Sequence, residues 1–452
     1  MASIVEGMST SAIAALTTAQ IASLGTTDIA ALSTAQVDAL TTTQITALRT
    51  AQVVAFTTSG IGALTTSHID VLSTSQAAAF LTSQIATLGT TQVAALNIDE
   101  VAALRTSQIV ALTTSAIAAL GSSQIESLTT SQVASLTTSQ VAGLGTSQVV
   151  SIETSDVAAL RTAQVAALAT AGLAELLTSQ VQALTTSAIA ALTTSGVAGL
   201  TTTQIDVLKT GQVAAFTTSQ IDAMGTTQIS SINTSGIAAM RTAQVAALVT
   251  SDVEGLTSSQ MSAFTTSALA AMTTSGVAVL TTTHIDVLTT SQAAGLRTAQ
   301  VAALSTSAVA GLSTSNLAAM GTSSIAALGT TATEALTTSQ IPGLRTAQVA
   351  GMTTSQIAAL TTTQLVEMET ADVAALRTAQ VAALGTTAIS NLTTSQIQAL
   401  TTSGVANMGT SNLAALGTSQ IEALRTAQID GLTTTQVANM GTSQIEALET
   451  VD

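Results

Sequence analysis

The phrase RTAQVAAL spans residues 241–248 and returns unchanged at 161–168, 297–304 and 377–384. Variants begin at Arg49, Arg105, Arg345 and Arg425. Its length, eight residues, is the period of the whole chain. Every residue whose number is a multiple of eight, from Met8 to Leu448, is Leu, Met, Phe or Ile, which makes 56 octads (448/8) without an insertion or deletion. A fixed period of this kind is the signature of repeat architecture. We number octad positions by the remainder on division by eight.

Position 0 carries the large apolar residue (Leu16, Leu24) and position 5 is almost always Ile or Val (Ile21, Ile29). Position 2 is nearly always Thr (Thr18, Thr26), position 4 is most often Gln, and position 7 is mostly Ala, Gly or Ser. All nine basic residues fall at position 1: Arg49, Arg105, Arg161, Lys209, Arg241, Arg297, Arg345, Arg377 and Arg425. Acids prefer position 6, as in Asp38 and Glu126, or position 4, as in Asp28 and Asp156.

Neither regular element can run through this pattern unbroken. Eight residues advance an α-helix about 80° beyond two turns, so the apolar stripe would wind around the rod. A strand alternates faces, which would place positions 0 and 5 on opposite sides. The chain must therefore turn within each octad. The expected architecture is an all-α superhelix of very short helices, one per octad, over residues 1–452 as a single uninterrupted solenoid with no distinct capping domain. Position 2 Thr is the expected N-cap, and Gly at position 1 suits a left-handed residue after a helix end. Arg or Lys at position 1 lies beside the negative end of the helix dipole, and position 4 acids lie near its positive end. Pro342 fits a helix awkwardly. The alternative is a β-solenoid with eight-residue sides, favoured by Thr, Val and Ile and disfavoured by abundant Ala.

Composition narrows the function. Charged residues make up 7% of the 452-residue chain, against about 25% in typical soluble domains. The net charge of −15 is spread thinly and argues against nucleic acid or an anionic membrane as partner. No apolar run approaches the ~20 residues of a membrane-spanning helix. Cysteine is absent, and the start, MASIVEGMSTSAIAAL, lacks the basic region of a secretory signal. His68 and His284, the two histidines, lie 27 octads apart and have no converging metal or acid–base partners. Asp99 and Glu100 form the densest acidic spot, which reads as a variant helix cap rather than a calcium loop. No catalytic residue, cofactor, metal or small-molecule substrate is expected.

The motif runs from Val5 and Met8 to Leu448, and the tail LETVD begins another octad. Solenoids ordinarily carry polar capping repeats. A stack without them exposes apolar core, and a head-to-tail contact between copies would bury it in an open filament. The octads LTTAQIASL, LTTSQVASL and LTTTQVANM resemble those of large repetitive bacterial surface or adhesin-like proteins. That resemblance implies an extracellular, structural setting reached by an unidentified secretion route. The expected function is a structural protein that self-assembles into a filament or surface coat. Core stacking would fall to positions 0 and 5, and the position 1 cations would pair with acids of neighbouring octads or subunits. The alternative is an adhesin stalk or binding module that displays a Thr/Ser/Gln-rich face, ice binding included.

Overall fold

In the computed structural model, residues 4–449 are described, and the first and last three residues, including the end of the LETVD tail, lie outside them. The described residues form short helices joined by two extended residues, with no strand among them. The chain divides into two compact units, Met1–Met224 and Gly225–Asp452. Each is an all-α solenoid built on one helix per octad, and the β-solenoid alternative is excluded.

The helix sits one residue earlier in the octad than the Thr-cap expectation put it. In octad 17–24 the N-cap is Thr17 at position 1, and Thr18 is the first residue of the helix Thr18–Ser23. The chain reverses at positions 0 and 1, where Leu24 (φ −57°, ψ 141°) and Gly25 (φ −74°, ψ 161°) are both extended. Position 1 glycine is thus not left-handed. Among the described residues only Gly7 has positive φ. The near-invariant Thr at position 2 has a different task from capping. Its methyl group leans against position 7 of the octad 29 residues on: a Cβ placed on Gly143 would stand 2.5 Å from the Thr114 Cγ2. Small residues at position 7 follow from this close approach.

A helix of five or six residues is a single turn and is unstable alone. Stability comes from packing against the helix three further along the chain, as between Thr130–Ser135 and Thr154–Ala159 in the first unit, or Thr242–Ala246 and Thr266–Ala271 in the second. Position 5 lies at the centre: Ile21, Ile29, Ile189 and Ile357 are at most 1% exposed. Position 0 lines the same core, with Leu24 and Leu192 buried. At the first described turn Leu16 and Met8 are only half-buried, and so is Leu448 in the last.

Octad 337–344 departs from the pattern. Pro342 has no N–H to close an α-turn, and the segment becomes a 3₁₀ helix, Ile341–Gly343. Ile341 and Leu344 remain buried, so the defect stays local. Pro342→Ala is expected to restore the α-turn and to stabilise the second unit by about 1 kcal/mol, the net worth of one hydrogen bond. A rise in the denaturation midpoint, with slower amide exchange confined to this octad and its neighbours, checks it.

Candidate functional site

The most elaborate polar arrangement in each unit lies between turns, at position 4. Gln at position 4 is the third helical residue, and its side chain works in two directions. Gln140 Oε1 accepts the N–H of Thr137, the N-cap of its own helix, at 2.8 Å. Its Nε2 donates to the carbonyls of Ile109 at 2.9 Å and Leu112 at 2.8 Å. Those carbonyls lie 31 and 28 residues earlier, at the C-terminal end of a helix one superhelical turn below. Gln44, Gln76, Gln356 and Gln436 repeat the arrangement at the same two offsets. These offsets, together with helices that pack on the third neighbour along the chain, place successive turns between three and four octads apart.

This is an economical answer to a helix-end problem. Each α-helix leaves four N–H and four C=O groups without intrahelical partners. In a one-turn helix that is nearly all of them. One buried amide supplies an acceptor to the N-terminus above and two donors to the C-terminus below. The sequence carried a signal for the upper half: Thr or Ser at position 1 followed by Gln at position 4 is a capping box. Thr17 and Gln20 form it reciprocally. The lower half has no local signal in the sequence, because it depends on a neighbour 28 residues away.

The position 1 cations belong to the same arrangement. Each of the nine is followed three residues later by Gln. An Arg or Lys side chain cannot accept from the helix amides, so the glutamine backbone N–H turns to the position 1 carbonyl, as Gln108 N–H does to Arg105 O, while the glutamine side chain still accepts the position 1 N–H. Arg105 N–H donates to Gln108 Oε1 at 2.7 Å, while Arg105 Nη2 and Gln108 Nε2 both donate to the Phe80 carbonyl, at 2.8 and 2.9 Å. Arg49 reaches Leu24 O, Arg161 reaches Leu136 O, Arg345 reaches Met320 O and Arg377 reaches Met352 O in the same way. Arg425 reaches Gln398 O. These guanidiniums thus bind the C-terminal carbonyls of a helix about three octads back. Each Arg also sits at the N-cap of the helix that follows it. Lys209, Arg241 and Arg297 occupy the N-caps of Thr210–Ala215, Thr242–Ala246 and Thr298–Ala302.

Substitutes at position 4 reveal what the site requires. His68 Nδ1 accepts from Thr65 N–H at 3.2 Å and its Nε2 meets Leu40 O at 2.6 Å, which fixes a neutral imidazole with Nε2 protonated. His284 does the same between Thr281 N–H and Leu256 O. Both histidines imitate glutamine and are buried. Aspartate is one methylene shorter and bonds differently: Asp156 Oδ1 accepts from Thr130 Oγ1 at 2.6 Å, and Asp252 Oδ1 from Thr226 Oγ1 at 3.1 Å. Asp372 takes a similar bond from Thr346, which lowers its pKa, yet burial outweighs it and pushes the carboxyl above its ordinary value, with Glu369 adding to the rise. Where Ala or Gly stands at position 4, position 1 is usually a capping residue, as with Thr57, Thr113, Thr193 and Asn233.

The exposed face is hydroxyl-rich. Thr at position 2 and Ser or Thr at position 3 face outward, whereas the glutamines are mostly buried. The face expected to display Thr, Ser and Gln therefore displays Thr and Ser. An open groove of about 470 Å³ runs along Thr282, Asp286, Ser313, Thr314 and Ser339. It holds one carboxylate and no nucleophile–base pair. Among the described residues no three His, Cys, Asp or Glu side chains are placed to hold a metal ion. Nor is any described helix long and apolar enough to cross a membrane.

Gln140→Ala is expected to destabilise the first unit by about 2 kcal/mol. It leaves the Thr137 N–H and the Ile109 and Leu112 carbonyls short of a partner in a buried setting. Chemical denaturation checks the magnitude. Hydrogen exchange in residues 109–112 checks that the loss reaches the turn below.

The ALTTAQ repeat family model matches the chain at residues 21–58, 93–130, 101–138, 117–151, 149–186, 186–218, 197–234, 213–250, 309–346, 365–402 and 405–442, together more than half its length. No curated protein matches the sequence. The matched segments repeat the octad whose geometry is described above, and the chain belongs to the ALTTAQ repeat family.

Proposed function

We propose that the chain is a structural protein whose solenoid stacks, copy on copy, into an extracellular filament or surface coat. The observation that carries this reading is the self-complementary character of the turn-to-turn contact. Every turn offers carbonyls and a row of position 5 side chains on one side and glutamine amides on the other. Where turns are stacked on both sides that apolar row is closed, and Val405 and Ile357 are fully buried. The edge of one turn is matched by the opposite edge of another, whether in the same chain or in a second copy. A heterologous contact of this kind that does not close gives an open filament.

The rest of the molecule supports a passive role. Its outer face is hydroxyl-bearing with scattered acids such as Asp38 and Glu126, and its conspicuous amide side chains are consumed in holding turns together. The extracellular placement rests on the resemblance to repetitive bacterial surface proteins. A second reading is favoured by the exposed Thr at position 2 in nearly every octad: a display face for a regular surface such as ice, for which thermal hysteresis is the assay.

Electron microscopy of the purified chain across concentration tests the first reading. Fibres much longer than one chain, with an axial repeat, are expected. Short single rods of fixed length at every concentration would reject copy-on-copy assembly.

A further inference from the structure

Glu100 is the one glutamate at position 4. Its helix, Ile98–Ala103, is capped in the usual way: Asn97 N–H donates to Glu100 Oε2 at 2.8 Å, and Glu100 N–H donates to Asn97 Oδ1 at 3.0 Å. Oε2 thus does what the glutamine oxygen does elsewhere. Oε1 falls where glutamine would carry its NH₂ group. That group donates to the carbonyls 28 and 31 residues back, here Leu72 and Ile69. Glu100 is fully buried, and Oε1 has no hydrogen-bond partner. An ionised carboxylate would set an oxygen acceptor against carbonyl acceptors at the one place where the stack needs a donor.

We propose that Glu100 is a proton-operated link between turns: its protonated carboxyl donates its single proton at the Ile69 and Leu72 carbonyls, where glutamine would donate two, and release of the proton to solvent opens the link. The surroundings favour the neutral form. Burial is the main influence and pushes the carboxyl up from 4.5 to about 7, against the lowering effect of the Asn97 N–H and with help from Asp70 and Asp99. The other charged groups nearby do not reverse this. Helix Thr74–Ala79, packed on the Glu100 helix, carries no titratable group, and helix Ser122–Glu126 carries Glu126 at its end. His68, on helix Thr66–Asp70, is engaged with Thr65 and Leu40. Arg105 is held on the Phe80 carbonyl. The closest glutamine replacement, Asp156, escapes the conflict by turning to Thr130.

The direction of the effect follows from linkage. Between pH 4.5 and about 7 the folded chain holds a proton that the unfolded chain has released. Stability therefore falls as pH rises through this window; the loss is complete above about 7 and absent below 4.5. No such dependence attaches to a glutamine link.

Hydrogen exchange of the full chain at pH 5.5 and 8.5, corrected for intrinsic rates, tests the proposal with Glu100→Gln as the comparison. In the native chain, protection of residues 66–76 and 97–104 is expected to drop about tenfold or more at the higher pH, since each unit of pKa displacement is worth about a factor of ten. Glu100→Gln is expected to keep full protection at both. An equal response in the two proteins overturns the proposal. So does recovery of native-chain protection at pH 8.5 on adding sodium or calcium ions, which would make Oε1 a cation ligand. A carbon-13 titration of the Glu100 carboxyl with its midpoint at the ordinary glutamate value would also overturn it.

Discussion

The side-chain amide of glutamine at the third helical residue is the interaction on which the rest of this structure depends. A helix of one turn has almost no hydrogen bonds of its own, and a chain made only of such helices faces unpaired backbone groups at every step. Buried unpaired groups each cost about 1–3 kcal/mol. The amide resolves the deficit at two helix ends together, because it offers one acceptor and two donors in a fixed plane. Its reach also fixes the superhelix. Carbonyls 28 and 31 residues back are the ones it meets, so successive turns lie between three and four octads apart. Positions 5 and 0 then converge on one core, and position 7 must stay small where it meets the Thr methyl of the turn below.

Much of the sequence variation becomes intelligible once that geometry is known. Arginine at position 1 always stands beside a glutamine, which accepts the arginine N–H and shares a carbonyl of the turn below with the guanidinium. Histidine replaces glutamine by presenting a nitrogen acceptor and an N–H donor across its ring. Aspartate substitutes by changing partner, to the Thr hydroxyl 26 residues back. Glutamate has glutamine's shape without its donor. These substitutions make the chain a series of nearly equivalent steps with a few of different chemistry, and the surface between them stays hydroxylated and mildly acidic.

The periodicity made the helical solenoid legible, because eight residues fit neither a continuous helix nor a strand. The core positions were equally plain: Ile21 and Ile29 at position 5 and Leu24 at position 0 are buried. What was misplaced was the helix start. Thr18 looked like the cap because it is the more regular of two adjacent Thr positions, yet Thr17 performs that role. Regularity at position 2 reflects a methyl contact between turns, not capping, and nothing local distinguishes the two. The same limit hid the inter-turn bonds. Thr-x-x-Gln announces the upper half of the glutamine's work, whereas the lower half joins residues that only the superhelix brings together. For Arg105 the sequence suggested an acid as partner; the structure supplies a carbonyl, since the extended residues at positions 0 and 1 aim the side chain toward the neighbouring turn.

The central claim is that glutamine side chains, rather than apolar packing alone, fasten successive turns. Side-chain amide exchange, measured by NMR on glutamine-labelled protein, tests it most directly. Buried amides such as Gln108, Gln140 and Gln164 are predicted to exchange orders of magnitude more slowly than the exposed Gln20, and in step with the backbone amides of the turns they join. Uniformly fast exchange of all the glutamine side chains, with the backbone still protected, would contradict the account.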